Sequence, residues 1–171
     1  MKIELKKLKI AEHMSEETTA FTAEIYVNGK HAGYAKNDGR GGCTDYRSYD
    51  DEGRLLIRAA EKHCETLPDQ KYDMGGGRDP FVMKMNLENF IDQLIEDELK
   101  KKDQKKFEKK MEKAILFGVP NGRSYAEVKF KIPLAQIPKE KLQGYVDKYK
   151  KDFKKGEKFL NTNFEKLGIK I

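Results

Sequence analysis

Asn28-Gly29 stands between two stretches in which apolar and polar residues alternate. Asn-Gly at such a place is the strongest short-range signal for a β-hairpin, because both central residues of a type I′ turn require a positive φ. The apolar residues of the preceding stretch share one face of an extended chain: Phe21, Ala23, Ile25 and Val27. Residues 31–36 then form the return strand. Residues 1–10 alternate too, with a slip at Lys6-Lys7 that indicates a β-bulge, so residues 1–36 are predicted to form a three-stranded antiparallel meander.

Three later segments have the three- and four-residue apolar spacing of amphipathic helices. The first covers residues 50–65, and five of its residues are predicted to face inward: Leu55, Leu56, Ala59, Ala60 and His63. The second follows the capping residue Asn86. Its apolar stripe lapses between Lys100 and Lys106, which predicts either one long helix or two helices with a polar joint. The third has Pro138 as its first residue.

Strands are predicted between and after these helices: a short one over residues 81–85, a hairpin of residues 114–119 and 124–132, and a last strand over residues 158–162. The fold class is therefore α+β, with antiparallel hairpins packed against three or four helices. The chain has 171 residues and no Pro- or Ser-rich linker. Its two halves, residues 1–85 and 86–171, are predicted to form one compact unit.

No segment approaches the roughly 20 consecutive apolar residues of a membrane span, and residues 1–10 alternate Lys with apolar residues where a signal peptide has an apolar core. The two cysteines, Cys43 and Cys64, have no CxxC spacing, and the three histidines form no metal-binding pair. These features predict a cytoplasmic protein that has no membrane partner, no metal and no cofactor.

Charge is concentrated in the second half of the chain. Residues 1–85 hold 14 Lys and Arg against 15 Asp and Glu, whereas residues 86–171 hold 21 against 14. Two lysine clusters, Lys100–Lys113 and Lys148–Lys158, account for most of the excess. Lysine is a mobile point charge that suits phosphates or acidic surfaces better than base-edge readout. The clusters are either solvated helix faces or a nonspecific contact for nucleic acid.

Two glycine-rich segments, each with an arginine, are the most distinctive motifs. Glycine lets successive backbone N–H groups converge on an anion, and arginine adds a two-pronged donor for phosphate or carboxylate. The alternative is that both are flexible turns. The candidate ligand-binding residues are Asn37, Asp38, Gly39, Arg40, Gly41, Gly42, Tyr46, Gly75, Gly76, Gly77 and Arg78. Neither segment matches a P-loop or a dinucleotide fingerprint.

Four tyrosines lie near these segments in the sequence: Tyr34, Tyr46, Tyr49 and Tyr72. Tyrosine beside glycine and arginine suits stacking on a base or a protein interface, but it is also an ordinary residue at the border between core and water.

Catalytic chemistry has two weak candidates. Cys43 is a nucleophile only if a histidine folds beside it, and otherwise a spectator. The acidic residues from Asp50 to Glu52 suit acid–base work or, with no further assumption, the capping turn of the helix that follows. No catalytic residue is therefore predicted.

The segment Val27–Tyr46, VNGKHAGYAKNDGRGGCTDY, resembles small uncharacterised proteins of phages and bacterial mobile elements, in which a strand–turn–strand unit is followed by NDGxGG. The resemblance implies a bacterial or phage-infected cytoplasm and supplies no activity. Small proteins of that setting often bind a host protein or sequester a nucleotide signal.

Three functional hypotheses result. The first is a noncatalytic binding protein whose Gly-Arg loops hold a nucleotide-type anion or a host protein, for instance as an inhibitor of antiphage defence. The second is nucleic-acid binding through the lysine-rich helices, and the third is a small enzyme that uses Cys43 or the Asp50 region.

Overall fold

The computed structural model describes residues 1–73, 75–77, 79–120, 122 and 124–171. Met74, Arg78, Asn121 and Arg123 lie outside the described residues. The chain divides into two compact units, Met1–Glu98 and Leu99–Ile171. We call them the N-terminal and C-terminal units. The division falls inside a helix. The described residues form three α-helices and nine strands in antiparallel sheets, which is the α+β class predicted from the sequence.

A four-stranded meander is the centre of the N-terminal unit. Its strands follow in order: β1 (Ile3–Ile10), β2 (Phe21–Val27), β3 (Lys30–Asn37) and β4 (Asp45–Ser48). Asn28 and Gly29 have φ angles of 49° and 82°, which confirms the predicted tight turn. The register shifts between Lys6 and Lys9, where Lys7 has a φ of 50°, so the bulge is confirmed as well. The fourth strand was not predicted, because DYRS has no apolar alternation.

The first helix, α1 (Asp51–Cys64), begins where predicted, and the Asp50 carboxylate caps it by accepting a hydrogen bond of 2.7 Å from the Gly53 amide. Its buried face includes Ile57, Ala60 and Cys64. The prediction that Leu55 faces inward is wrong, because Leu55 is 67% exposed. Two residues of helix turn the chain by about 200°, which places Leu55 opposite Ile57.

The remaining elements of this unit are a small hairpin and the start of a long helix. β5 (Gln70–Tyr72) pairs with β6 (Phe81–Met83), so the short strand predicted over residues 81–85 is present and has a partner that was not predicted. α2 (Leu87–Met111) is one continuous helix of 25 residues, which decides between the two alternatives left by the sequence. Asn86 accepts a 2.7 Å hydrogen bond from the Asn89 amide at its start.

The C-terminal unit contains a sheet of three strands in the order β8 (Tyr125–Lys129), β7 (Ala114–Gly118) and β9 (Lys158–Phe159). α3 (Lys139–Lys150) carries Leu142 and Val146 into the core, and Pro138 is its N-cap rather than its first helical residue. The core cluster is formed by six residues: Ile115, Leu134, Leu142, Val146, Phe164 and Ile169. The predicted strand over 124–132 ends at Lys129, and Ile132 is 46% exposed.

Asn161 extends the sheet with its side chain just after β9. Its Oδ1 accepts a 2.6 Å hydrogen bond from the Leu116 amide, and its Nδ2 donates a 2.9 Å bond to the Ala114 carbonyl. Asn161 is only 6% exposed. The side chain thus satisfies two buried backbone groups of β7 that the two-residue strand β9 does not reach.

Candidate functional site

The first glycine loop is organised by the Asn37 side chain. Asn37 Oδ1 accepts hydrogen bonds from the Gly39 amide and the Thr18 hydroxyl, both at 2.8 Å. Asn37 Nδ2 donates to the Gly42 carbonyl at 2.9 Å. The Thr18 hydroxyl in turn accepts from the Gly41 amide at 3.2 Å. One amide side chain therefore closes the whole loop on itself.

Gly39 holds this loop against the segment between β1 and β2 by close backbone packing and hydrogen bonds. Its φ is +85°, and a Cβ there would lie 2.3 Å from the Met14 carbonyl oxygen, so only glycine fits without strain. The Gly39 carbonyl accepts from the amides of Glu16, Glu17 and Thr18. Gly39 is buried, whereas Asp38, Arg40, Gly41 and Gly42 are exposed. Because the amides of Gly39 and Gly41 donate within the protein, they do not converge on a ligand.

The surroundings of the first glycine loop are acidic. The Glu17 carboxylate approaches Gly41, and the Thr44 amide donates to Glu88 Oε1 at 3.1 Å. The Thr44 hydroxyl donates to Asp92 Oδ1 at 2.5 Å. These carboxylates oppose the binding of an anion, and the only arginine of the loop, Arg40, extends into solvent.

Cys43 stands next to this acidic pair. Its exposed thiol has a pKa raised chiefly by the charge of Glu88 and by a hydrogen bond to that carboxylate. A nucleophilic cysteine needs the opposite shift. Asp50, the other catalytic candidate, is the helix cap described above. In the described part of the chain, no three His, Cys, Asp or Glu side chains are grouped as metal ligands would be.

Tyr46 faces α1. Its hydroxyl donates to Glu61 Oε1 at 2.9 Å, and burial, reinforced by Glu61, raises its pKa to about 12. Of the other three tyrosines of the predicted cluster, two contact each other. Tyr72 lies in β5, and Tyr34 and Tyr49 have ring centroids 5.7 Å apart.

The second glycine loop is the tip of the β5–β6 hairpin. Gly75, Gly76 and Gly77 have φ angles of 66°, 66° and 73°, and the Gly75 amide donates to Asp73 Oδ1 at 2.8 Å. Arg78, the predicted anion ligand of this loop, lies outside the described residues. Within the described ranges, no hydrogen bond or ion pair joins residues 37–42 to residues 75–77.

A different feature of the C-terminal unit has the form of a binding site. A groove of about 510 Å³ runs between the last turns of α2 and strand β8. Most of its exposed lining is apolar, and its lining residues include Phe130 and the buried Ala114. Five lysines surround it, and we call it the lysine groove: Lys106, Lys109, Lys110, Lys113 and Lys129.

Backbone pairing builds this groove. The β7–β8 register places Lys129 opposite Ala114, and the Phe130 amide donates to the Lys113 carbonyl at 2.8 Å. Lys110 Nζ donates to the Tyr125 hydroxyl at 2.8 Å, and the Tyr125 ring packs edge-on against Phe107 at 5.3 Å between centroids. The cluster Lys100–Lys113 predicted the helical side of the groove. Lys129 and Phe130 were missed, although the predicted hairpin brings them beside Lys113.

Two carboxylates line the same groove, Glu112 and Glu127. Glu127 accepts from Lys129 at 2.8 Å, which lowers the pKa of Glu127. Lys109 and Lys113 form no ion pair with any residue that the structure describes. Two of the five ammonium groups are therefore available to an incoming anion.

Comparison with protein-family models, with curated proteins and with solved structures finds no match. None of the described helices is both long and apolar enough to cross a membrane.

Proposed function

We propose that the protein binds nucleic acid through the phosphate backbone, using the lysine groove of the C-terminal unit. The observation that carries this proposal is the groove itself, in which five lysines border an apolar floor on two adjacent elements. Ammonium groups arranged along a channel suit a chain of phosphates. The apolar floor with Phe130 suits the flat face of a base or sugar.

The distribution of charge favours a specific use of these lysines over simple solubility. Residues 99–171 hold 21 Lys and Arg against 9 Asp and Glu, a net charge of +12, whereas residues 1–98 hold 14 against 20, a net charge of −6. All twenty lysines of the C-terminal unit are exposed. Lysines that served only to keep the protein soluble would not need to be concentrated in one unit while the other unit carries a net negative charge.

Lysine rather than arginine predicts binding that depends weakly on sequence. Each lysine that neutralises a phosphate of a single strand contributes about −0.7 to the slope of log affinity against log salt concentration. The two lysines that form no ion pair predict a slope of about −1.4, and transfer of the other three from their internal partners to phosphates would bring it to about −3.5. Raising the salt from 50 to 200 mM should therefore weaken binding by about 7-fold in the first case and roughly 100-fold in the second.

The test is fluorescence anisotropy of the full chain with a labelled oligonucleotide over that range of salt. Lys109→Gln/Lys113→Gln removes two groove charges and should reduce the slope by about 1.4. Lys154→Gln/Lys155→Gln removes the same charge from exposed positions outside the groove and should change affinity much less. A flat salt response, or equal losses for the two variants, contradicts the proposal.

The hypothesis of a nucleotide-type anion held by Arg40 and Arg78 stays a prediction, as does that of an inhibitor of antiphage defence. The acidic surroundings of the first loop and the internal use of the Gly39 and Gly41 amides favour the groove over that loop. Calorimetry with cyclic nucleotides and an Arg40→Ala control tests the loop separately.

A further inference from the structure

Four aromatic rings form a continuous row on the outer face of the meander. We call this row, made of Tyr26, His31, Tyr34 and Tyr49, the tyrosine face. Tyr26 stacks on His31 at 4.9 Å between centroids, with an angle of 25° between the ring planes. His31 contacts Tyr49 at 4.7 Å, and Tyr49 contacts Tyr34 at 5.7 Å. The apolar core lies on the opposite face of the sheet, where Ile25 and Val27 are fully buried.

The two ends of the row differ. Lys6 Nζ lies 4.0 Å above the Tyr26 ring and covers that end. At the other end, Tyr34 and Tyr49 line a hollow of about 400 Å³ that opens to solvent, and Tyr49 is 57% exposed. A hollow of this size beside two ring faces has room for a nucleobase. The open end is therefore where a ligand would stack.

The hollow also carries charge suited to a nucleotide. Lys7, Lys9 and Lys36 line it, together with Glu24. Glu24 accepts a 2.8 Å hydrogen bond from Lys7, which lowers the pKa of Glu24 and keeps it ionised at neutral pH. An ionised carboxylate accepts hydrogen bonds from the amino and imino groups of bases, while Lys9 and Lys36 remain for phosphate.

The charge of this face departs from that of its unit. Strand pairing and side-chain contacts place five basic residues on it: Lys6, Lys7, Lys9, Lys36 and Arg47. Three acidic residues accompany them: Glu4, Glu24 and Asp45. A face with an excess of positive charge, in a unit whose net charge is −6, suits an anionic ligand.

We propose that the tyrosine face is a second binding site, which holds single-stranded nucleic acid by stacking bases on Tyr34 and Tyr49 while Lys9 and Lys36 contact the phosphates. Every base has a flat face, so stacking on tyrosine tolerates any sequence. A duplex hides those faces between its own base pairs, which excludes it from this site. The inference rests on observations in the N-terminal unit alone and does not depend on the lysine groove.

The chain supplies a local reporter for this site. It has only three histidines and no tryptophan, so the imidazole proton signals of the full chain are few enough to follow by NMR. His31 belongs to the tyrosine face and contacts Tyr49, whereas His13 and His63 lie elsewhere and serve as internal controls. A base stacked on Tyr49 should shift the His31 signal through its ring current.

The experiment titrates the full chain with a ten-nucleotide oligothymidylate, with inorganic tripolyphosphate and with a duplex of the same length. The His31 signal should move with the single strand and not with the other two. If tripolyphosphate moves the His31 signal to the same extent, the site recognises negative charge and not the base. If saturating oligothymidylate does not move the signal, this face has another role, such as docking a protein. Either result overturns the proposal.

Variants sharpen the test. Tyr34→Leu/Tyr49→Leu should weaken the oligothymidylate binding that is detected at His31 by about tenfold or more, whereas Tyr34→Phe/Tyr49→Phe should retain it. Tyr72→Leu, on the β5–β6 hairpin, is the matched control and should bind as the parent does. If the double leucine variant does not fold, Lys9→Gln/Lys36→Gln should weaken the same signal at least threefold. Unchanged binding in a folded variant overturns the proposal.

The proposals for the two sites can be contradicted independently of each other. In Lys109→Gln/Lys113→Gln the His31 shift should persist, because neither lysine belongs to the meander. A salt slope that Lys109→Gln/Lys113→Gln leaves unchanged, together with an intact His31 shift, would remove the lysine groove and keep the tyrosine face. A normal salt slope with a silent His31 would do the reverse.

Discussion

The two units of this protein have similar architecture and opposite charge. Each packs antiparallel strands against helical segments around its own core, yet the N-terminal unit has a net charge of −6 and the C-terminal unit one of +12. Their exposed aromatic groups also differ: a row of stacked rings on a sheet face in one unit, and an edge-on pair beside lysines in the other. Similar local folding rules thus leave two surfaces that differ in charge and in the arrangement of their exposed aromatic rings.

The two units also share a device, because each uses one asparagine side chain to complete its backbone hydrogen bonds. Asn161 joins buried groups of β7, and Asn37 closes an exposed loop. The difference in burial predicts a difference in cost. A group that loses its partner inside the core cannot turn to water, whereas a loop amide at the surface can.

The largest expected effect is that of Asn161→Ala. The substitution leaves the Leu116 amide and the Ala114 carbonyl without partners in the core, and it should lower the free energy of unfolding by about 3 kcal/mol. Urea unfolding of the full chain measures this as a shift of the midpoint at constant slope. Thr162→Ala, at the exposed neighbouring position, is the control and should cost below about 0.5 kcal/mol. Equal costs for the two variants would contradict the role given to Asn161.

Asn37→Ala should be less costly, about 2 kcal/mol, because water replaces part of what the loop loses. Its effect should also be local, with faster hydrogen exchange at the Gly39 and Gly41 amides. Asp38→Ala changes the next, exposed residue and should leave both amides protected. If Asn37→Ala proves as costly as Asn161→Ala, the distinction between a core and a surface asparagine fails here.

Local patterns in the sequence predicted the elements whose reason for folding is local. The Asn28-Gly29 turn, the bulge at Lys7 and the three helices follow from positive φ, capping and apolar spacing. Strands β4 and β5 were missed because each is held by its partner strand and has no apolar alternation of its own. Short strands of this kind are decided by pairing rather than by propensity.

The candidate sites show the same limit. Lys100–Lys113 marked one side of the lysine groove in the sequence, but the other side depends on β8. Tyr34 and Tyr49 meet only because β4, which was not predicted, brings Tyr49 back to the outer face of β3. The glycine loops were attractive as anion sites because glycine exposes amides. The structure shows that a side chain far back in the sequence, Thr18, takes one of them.

A smaller effect on stability is expected from Asp92 in the N-terminal unit. Asp92 is an exposed residue, yet desolvation of its carboxyl group by nearby protein atoms raises the pKa of that group; the hydrogen bond from Thr44 opposes the shift, and the charge of Glu88 adds to it. A raised pKa means that the folded protein holds this proton more tightly than the unfolded chain does. The contribution of Asp92 to the free energy of unfolding is thus present while the carboxyl group is protonated, and it is lost as the pH rises through the raised pKa of the folded state.

Asp92→Asn should therefore stabilise the protein at pH 7, by about 0.5 kcal/mol after allowance for exposure, and make no difference near pH 3. Asparagine keeps an oxygen that accepts from the Thr44 hydroxyl. Urea unfolding of the variant and the parent chain at the two pH values measures the difference. In the C-terminal unit Glu127 has the opposite shift, so Glu127→Gln should lose stability at pH 7 relative to pH 3. If both substitutions changed the free energy of unfolding at pH 7, relative to pH 3, in the same direction, the electrostatic contrast between these two groups would be refuted.

The smallest effect concerns one exposed apolar residue in each unit. Leu55 was predicted to face inward and Ile132 to lie in a strand, yet they are 67% and 46% exposed. Leu55→Gln and Ile132→Gln should each change the free energy of unfolding by less than about 0.5 kcal/mol, because little apolar area leaves a packed environment. Urea unfolding checks both. A loss above about 1.5 kcal/mol at either position would mean that the side chain is covered in solution, and a loss at one alone would show which unit carries an additional apolar contact surface.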